Sequence, residues 1–162
     1  MSIAMMQMLI ERGLGVKIGQ MILFYPVTVT NTHSARASYK TSEDGSLSPA
    51  ETMNWIINTC IPDEKDRETP LASPLYYLSD DVLAKFPPPT MILTAVDPIF
   101  DEGGAFGHCH QNVGVDIAII KAKWHIHAFV LMKPMRQSVA AHAMIQLAAS
   151  RMRQGLLLKQ SL

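Results

Sequence analysis

The amino-acid sequence predicts an α/β protein with a small, mainly parallel sheet. Three apolar runs, at about 18–27, 90–96 and 116–122, have the length and continuity of strands that are covered on both faces. Helical patterns flank them, because apolar residues recur every three or four positions in residues 1–13 and in about 135–154. Strands that alternate with helices favour parallel pairing through right-handed crossovers. We therefore expect three mainly parallel strands flanked by helices.

The first element is a helix over residues 1 to about 13, and its apolar residues cover most of its circumference. Met5 and Ile10 lie on different sides of it, and Gly13 supplies a stop. A helix that is apolar nearly all round is normally buried on more than one side. Met1 begins directly inside the pattern without an N-cap, so we expect a chain cut from something longer.

The segment of about 28–85 is expected to be a helical, cap-like insert within one domain of residues 1–162. Residues 28–45 are polar and have neither helical nor strand periodicity. The sequence Ser-Pro-Ala-Glu at 48–51 is a capping box with proline at the first helical position, and it starts a helix that runs to Cys60. A further short helix starts at Ser79.

The last helix is predicted over about 135–154, with Gly155 as its stop. Helical spacing places four apolar residues on one stripe that would face the core. These are Val139, Ala143, Leu147 and Ala148.

Composition narrows the class of protein. Apolar residues make up 48% of the chain and charged residues 17%, which is typical of a globular protein with a buried core. The net charge is zero, which argues against a nucleic-acid or acidic-membrane partner held by bulk electrostatics. No apolar run reaches the roughly 18–20 residues that a membrane span needs. The N-terminus has no cationic leader and no small-residue cleavage site, so we expect a cytoplasmic protein.

We expect neither a metal site nor a cofactor, because the spacing of the cysteines and histidines does not suit metal binding. Cys60 and Cys109 are too few for a disulfide framework, and we expect free thiols packed in the core. The sequences His-Cys-His at 108–110 and His-Ile-His at 125–127 contain residue types that bind zinc. On a helix, however, positions two apart diverge by about 200°, whereas ligand pairs prefer a spacing of three or four.

Two polar residues follow successive predicted strands. Asp97 comes directly after the second apolar run, and His127 comes shortly after the third. A carboxylate and an imidazole at the carboxyl ends of neighbouring strands can form the back half of a Ser-His-Asp relay. The front half would be a serine in Gly-x-Ser-x-Gly, and these 162 residues contain no such motif. From the residues alone, a strand-end carboxylate and a loop histidine without catalytic roles remain the alternative.

Five short motifs occur in a fixed order along the chain. They are Gln-Met-Ile-Leu-Phe-Tyr-Pro-Val at 20–27, Ala-Ser-Pro-Leu at 72–75, Phe-Pro-Pro at 86–88, Asp-Pro-Ile-Phe-Asp-Glu-Gly at 97–103 and His-Ala-Phe at 127–129. Together they resemble the C-terminal half of the α/β-hydrolase family related to hormone-sensitive lipase, the fold-3 group of esterases and lipases. The resemblance covers residues 1 to about 153 and implies a partial α/β-hydrolase fold.

The resemblance also assigns roles to residues. Asp97 is similar to the triad acid of the family, and His127 is similar to its base. The phenylalanine two residues further on favours His127 over His125 as that base. The glycines that the family has three residues before and one residue after the histidine are Trp124 and Ala128 in this chain.

The N-terminal half of that family carries a His-Gly-Gly oxyanion motif and the sequence Gly-Asp-Ser-Ala-Gly-Gly, and neither occurs here. The resemblance therefore implies a truncated serine carboxylesterase or lipase that has the triad acid and base, lacks the nucleophile and is inactive alone. The alternatives are a non-catalytic partner module of a hydrolase-like chain and, less favoured, a metal-binding protein.

The expected partners follow from the same resemblance. A small-molecule ester or lipid is the substrate if an N-terminal half completes the chain, and we expect no nucleic acid and no membrane span. In the family, the strand at 18–27 has a neighbour on each side. Without one of them its edge is unpaired, so we expect self-association through that edge.

Overall fold

A computed structural model describes residues 1–30, 36–41 and 50–160 of the chain. The helices and strands follow one another as α1 (Ser2–Glu11), β1 (Met21–Phe24), α2 (Ala37–Thr41), α3 (Ala50–Cys60), α4 (Glu64–Arg67), α5 (Pro74–Tyr77), α6 (Asp80–Leu83), β2 (Pro89–Val96), α7 (Phe100–Asn112), β3 (Ala118–Ile126), α8 (Lys133–Arg136) and α9 (Val139–Gln160).

The three strands form one parallel sheet, as the sequence predicts, and their order in the sheet is β1-β2-β3. The central strand is the most buried, because it has neighbours on both sides and helices over the sheet. β1 is shorter than the predicted run of 18–27, since only Met21–Phe24 pairs with β2. β3 is longer than predicted and continues to Ile126.

The main hydrophobic core lies between the sheet and the helices α1, α6 and α7. It consists of Ile3, Met6, Met21, Leu23, Leu83, Phe86, Met91, Leu93 and Phe106. Two glycines let α7 lie close to the sheet. A Cβ on Gly103 would stand 2.6 Å from the Leu93 side chain, and one on Gly107 would stand 2.5 Å from Ile119. The helix-weakening glycines are therefore explained by close packing.

The first helix is buried on one side only, which corrects the expectation of burial on several sides. Ile3 and Met6 belong to the core, whereas Met1 and Met5 are exposed. The helix packs against α6, and Ile3 and Met6 share the core with Met21 and Leu23 of β1.

Between β1 and β2 the described residues form five short helices, α2 to α6. The helix α2 lies in a stretch for which the sequence predicts no regular structure. The predicted capping box falls partly on residues 48 and 49, outside the described residues, but α3 ends at Cys60 as expected. Ser79 precedes α6 as expected, although its side chain makes no capping hydrogen bond.

The C-terminal helix differs from its prediction in length and in orientation. α9 continues through Gly155, which is buried and would place a Cβ 2.8 Å from Gln20. Gly155 is therefore a site of close contact and not a stop. Of the predicted stripe only Ala148 is buried, whereas Val139 is 89% exposed and both Ala143 and Leu147 are exposed. Ala141, which lies outside the stripe, is fully buried. The two buried residues are alanines, and the larger Val139 and Leu147 face away from the core.

The two cysteines lie in different surroundings. Cys60 is exposed, which corrects its predicted place in the core, whereas Cys109 is partly buried against the main core. Among the helices of the described residues, none is both long enough and apolar enough to cross a membrane.

Candidate active site

Asp97 lies immediately after β2 and is 2% exposed. Its Oδ1 accepts a hydrogen bond from the backbone N–H of Ile99 at 3.1 Å, and its Oδ2 accepts one from the hydroxyl of Thr94 at 2.6 Å. The Asp97 carbonyl accepts from the N–H of Phe100, which is the first residue of α7. The carboxylate is thus fixed where the strand turns into the helix.

His127 meets Asp97 because of the register between β2 and β3. Val96 pairs with Ile126, so the residue after each strand lies beside the other. His127 Nδ1 stands 2.9 Å from Asp97 Oδ2. Since an ionised carboxylate can only accept, Nδ1 is the donor and Nε2 is left as the acceptor. The imidazole is 24% exposed, and Nε2 has no hydrogen-bond partner among the described residues.

A bulge in β3 produces this register. Thr94 pairs with Ala122, but Val96 pairs with Ile126, so two steps along β2 match four along β3. Trp124 lies within the extra residues, with φ 62°, and is 90% exposed. Ala128 follows His127 with φ 60°. Both residues adopt the left-handed conformation that glycine adopts without strain, and each costs on the order of 1–2 kcal/mol.

His125, the rival candidate base, lies elsewhere. Its Nδ1 is 2.6 Å from the carbonyl of Lys123, and its ring packs on Phe129 at a centroid distance of 4.5 Å. No contact joins it to Asp97 within the described residues. Of the two histidines, the structure brings only His127 to the carboxylate.

Tyr25 is a neighbour of the pair that the sequence did not single out. It follows β1 with φ 35°, and its ring lies 4.7 Å from the imidazole of His127, centroid to centroid, at an angle of 58°. Burial, followed by the charge of Asp97, raises the pKa of Tyr25 to about 12, so the phenol stays neutral. The sequence signal that could have identified Tyr25 is its position directly before Pro26, at the end of a predicted strand.

Glu102 is a second residue that the sequence undervalued. It lies in the first turn of α7, where an acidic side chain usually faces solvent, but Glu102 is 1% exposed. Its Oε1 accepts from the backbone N–H of Thr28 at 2.6 Å, from that of Val29 at 3.1 Å and from the Thr28 hydroxyl at 3.3 Å. Glu102 therefore ties the chain after β1 to the helix that follows Asp97.

Ser38 makes a similar connection from α2. Its backbone N–H donates to Asp101 Oδ2 at 2.8 Å, and its hydroxyl donates to the carbonyl of Pro98 at 2.7 Å. The hydroxyl also accepts from the N–H of Asp101. Nearby, Tyr39, Met53 and Ile99 form a small buried cluster. The segment between β1 and β2 thus packs directly on the loop that carries Asp97.

A cavity of about 330 Å³ opens beside the imidazole. It is lined by His127, by residues 22–27, by Met1, and by Ser2 and Ile3 of α1. Because β1 is the outer strand of the described sheet, this cavity lies along its unpaired side.

The residues of the metal hypothesis lie apart from one another. His108 is exposed beside Gln111, with 2.9 Å between Nδ1 and Oε1. His110 is fully buried between Phe86 and Phe106, and its Nδ1 donates to the Phe106 carbonyl at 2.9 Å. Over the described ranges, no three His, Cys, Asp or Glu side chains come together as a metal would need.

Comparison with known proteins identifies the family. The sequence profile of a family described as having the alpha/beta hydrolase fold matches residues 1–131. The chain belongs to this family. It is 51% identical over 153 residues to an esterase of Gibberella moniliformis, and the match covers 94% of this chain and 48% of that protein. The resemblance on the five motifs is therefore confirmed.

Solved structures agree with this assignment. Carboxyl esterase 2 of Tuber melanosporum superposes with a TM-score of 0.86 at 29% identity, over 94% of this chain and 48% of that one. Brefeldin A esterase, described as a bacterial homologue of human hormone-sensitive lipase, superposes with a TM-score of 0.80 at 22% identity, over 96% and 45% of the two chains, which supports the fold. The chain spans about half the length of the relatives it matches.

Proposed function

We propose that Asp97 and His127 are the acid and the base of a serine-type carboxylic-ester hydrolase. The observation that supports the proposal most is the 2.9 Å contact between His127 Nδ1 and Asp97 Oδ2, which leaves Nε2 as the acceptor of an imidazole that lines the cavity. Membership of an α/β-hydrolase family with esterase relatives supports the reaction class. The substrate is a small-molecule ester or lipid.

The two residues would divide the work in the usual way for such a relay. His127 Nε2 takes the proton of the attacking serine and later delivers it to the leaving alcohol. Asp97 keeps the other imidazole proton on Nδ1 and stabilises the imidazolium while it exists. The nearly complete burial of Asp97 strengthens that interaction, because little water screens it.

We further propose that the serine comes from outside these 162 residues. The chain contains no Gly-x-Ser-x-Gly and no His-Gly-Gly motif. The cavity along β1 lies beside His127, where a nucleophile on an additional strand could reach the imidazole. The chain alone is then inactive, and adding the remainder of an α/β-hydrolase sheet supplies the missing parts.

The experiment places the remaining half of the Gibberella moniliformis esterase ahead of Met1 and measures hydrolysis of p-nitrophenyl butyrate. The joined protein is expected to turn over, whereas the 162-residue chain gives no burst and takes no fluorophosphonate label. In the joined protein His127→Ala should lower kcat by about 10⁴ or more, since triad members act as one unit.

His125→Ala is the matched control, because it removes the neighbouring imidazole without touching Asp97. It is expected to leave turnover within a few-fold of the parent. Loss of activity in His125→Ala with retention in His127→Ala would contradict the assignment. Stoichiometric labelling of the isolated chain by the fluorophosphonate would show that it carries its own nucleophile.

A further inference from the structure

Thr94 is a buried threonine of β2 whose hydroxyl contacts the proposed triad acid. Its Oγ1 lies 2.6 Å from Asp97 Oδ2, and the residue is 1% exposed. Because the carboxylate can only accept, the hydroxyl donates. The same oxygen accepts the N–H of His127 at 2.9 Å. A single oxygen atom thus receives both the threonine and the histidine.

The other carboxylate oxygen is held separately. Oδ1 of Asp97 accepts from the backbone N–H of Ile99 at 3.1 Å. A rotation of the carboxylate about its Cβ–Cγ bond would break one of these bonds, and little water reaches the site to replace it. The backbone holds one oxygen and Thr94 holds the other, so Oδ2 stays aimed at His127.

The position of Thr94 in the strand argues that its hydroxyl has a specific task. It follows the fully buried residues Met91, Ile92 and Leu93 in the central strand, where an apolar side chain would meet no penalty. A buried hydroxyl is costly unless it is hydrogen-bonded, and this one bonds to the carboxylate three residues further on. A β-branched side chain is also stiff at χ1, so the hydroxyl is held in one direction.

We propose that Thr94 is a positioning residue that acts through Asp97 and keeps the proton of His127 on Nδ1. This inference rests on the proposed function of the Asp97–His127 pair. By fixing Oδ2, Thr94 holds the imidazole in the tautomer whose Nε2 can accept a proton. A valine at this position would preserve the shape of the strand and remove that restraint.

The test measures the imidazole of His127 by ¹⁵N spectroscopy in the full 162-residue chain, in solution or, for an associated sample, under magic-angle spinning. In spectra recorded well above the ordinary histidine pKa of about 6.5, the parent chain is expected to show the imidazole proton on Nδ1 and slow exchange of that proton. Thr94→Val should speed the exchange roughly ten- to hundredfold, as expected for a lost hydrogen bond to a charged group. A signal from the Nε2–H tautomer should appear with it.

Thr94→Ser keeps the hydroxyl donor and should give the same spectrum as the parent chain. Thr90→Val is the matched control, since Thr90 is an equally buried threonine of β2 whose hydroxyl accepts from Gln20 and not from the site. It should leave the His127 signals unchanged. If the valine variant of Thr94 does not fold, Thr94→Ala supplies a second donor-free side chain and must show the same faster exchange.

Asp97→Asn separates this inference from the proposed function. If Asp97→Asn disturbs the His127 proton and the donor-free variants of Thr94 do not, the pair stands and the role of Thr94 is wrong. If neither substitution changes the imidazole, the pair itself is not coupled and both proposals fail. An altered spectrum in Thr94→Ser equal to that of Thr94→Val would also overturn the role of the hydroxyl.

Discussion

Two regions of the sheet differ in how many of their polar groups have partners. One is the carboxyl end of β2 and β3, and the other is the side of β1 that faces away from β2. Asp97 is nearly fully buried, and three donors contact its carboxylate. β1, in contrast, pairs only with β2 in the described part of the chain, and a cavity of about 330 Å³ runs along its other side. The Asp97–His127 pair is thus held by contacts within the described residues, whereas the side of β1 that faces away from β2 has no partner strand among them.

The largest expected effect concerns that edge. We expect the 162-residue chain to self-associate, because an unpaired strand with apolar side chains and no charge pairs readily with another copy. Ile22→Lys places a charge on β1 and should shift the population towards monomer. Light scattering and sedimentation velocity measure the change in mass.

Val139→Lys is the control for this experiment, since it removes an apolar side chain that is 89% exposed on α9 and far in sequence from the edge. It should leave the association state unchanged. A monodisperse monomer in the parent chain, with slow hydrogen exchange at residues 21–24, would show that the edge is already covered.

The sequence predicts some of these features better than others. The strands could be predicted from continuous apolar runs, and the Asp97–His127 contact could be predicted because each residue follows one of two neighbouring strands. The bulge in β3 that sets their register could not be predicted. Glu102 could not be recognised as buried, since its partners are backbone groups 73 and 74 positions away. Only Ala148 of the stripe predicted for α9 is buried, because helical spacing alone does not show which side of a largely apolar helix meets the sheet.

A second prediction concerns the buried contact between α7 and the chain after β1. Glu102→Gln keeps the shape of the side chain but removes its charge, so the hydrogen bonds from Thr28 and Val29 become neutral ones. The free energy of unfolding should fall by about 2 kcal/mol, since bonds to charged groups are roughly twice as strong. Urea denaturation measures it, in a variant background that is monomeric.

Glu51→Gln is the matched substitution on the exposed surface of α3. It should change stability by less than about 0.5 kcal/mol. An equal effect of the two substitutions would show that the carboxylate of Glu102 contributes nothing beyond its shape.

A third prediction concerns pH. Burial lowers the pKa of His110, against a smaller opposing effect of its bond to the Phe106 carbonyl, so the folded protein holds this imidazole neutral. The unfolded chain binds a proton below its ordinary pKa of about 6.5, and stability therefore falls as pH falls below that value. Above it, His110 contributes no pH dependence.

His110→Gln removes the titrating group and should flatten the fall in stability between about pH 6.5 and 5. His108→Gln is the control, because His108 is exposed and bonds only to Gln111 among the described residues. An unchanged pH dependence in His110→Gln would assign the acid sensitivity to other groups.

The smallest expected effect concerns the backbone on either side of His127. Ala128 has φ 60°, so Ala128→Gly relieves left-handed strain of about 1–2 kcal/mol but gains chain entropy in the unfolded state worth about 0.4–1 kcal/mol. The net result should be a stabilisation of up to about 1 kcal/mol. Ala143→Gly, in the interior of α9 at an exposed position, should instead destabilise by about 0.5–1 kcal/mol. Thermal or urea denaturation measures both effects. Opposite signs for the two alanine-to-glycine substitutions would locate the strain beside the candidate base, and destabilisation by both would show that Ala128 carries no such strain.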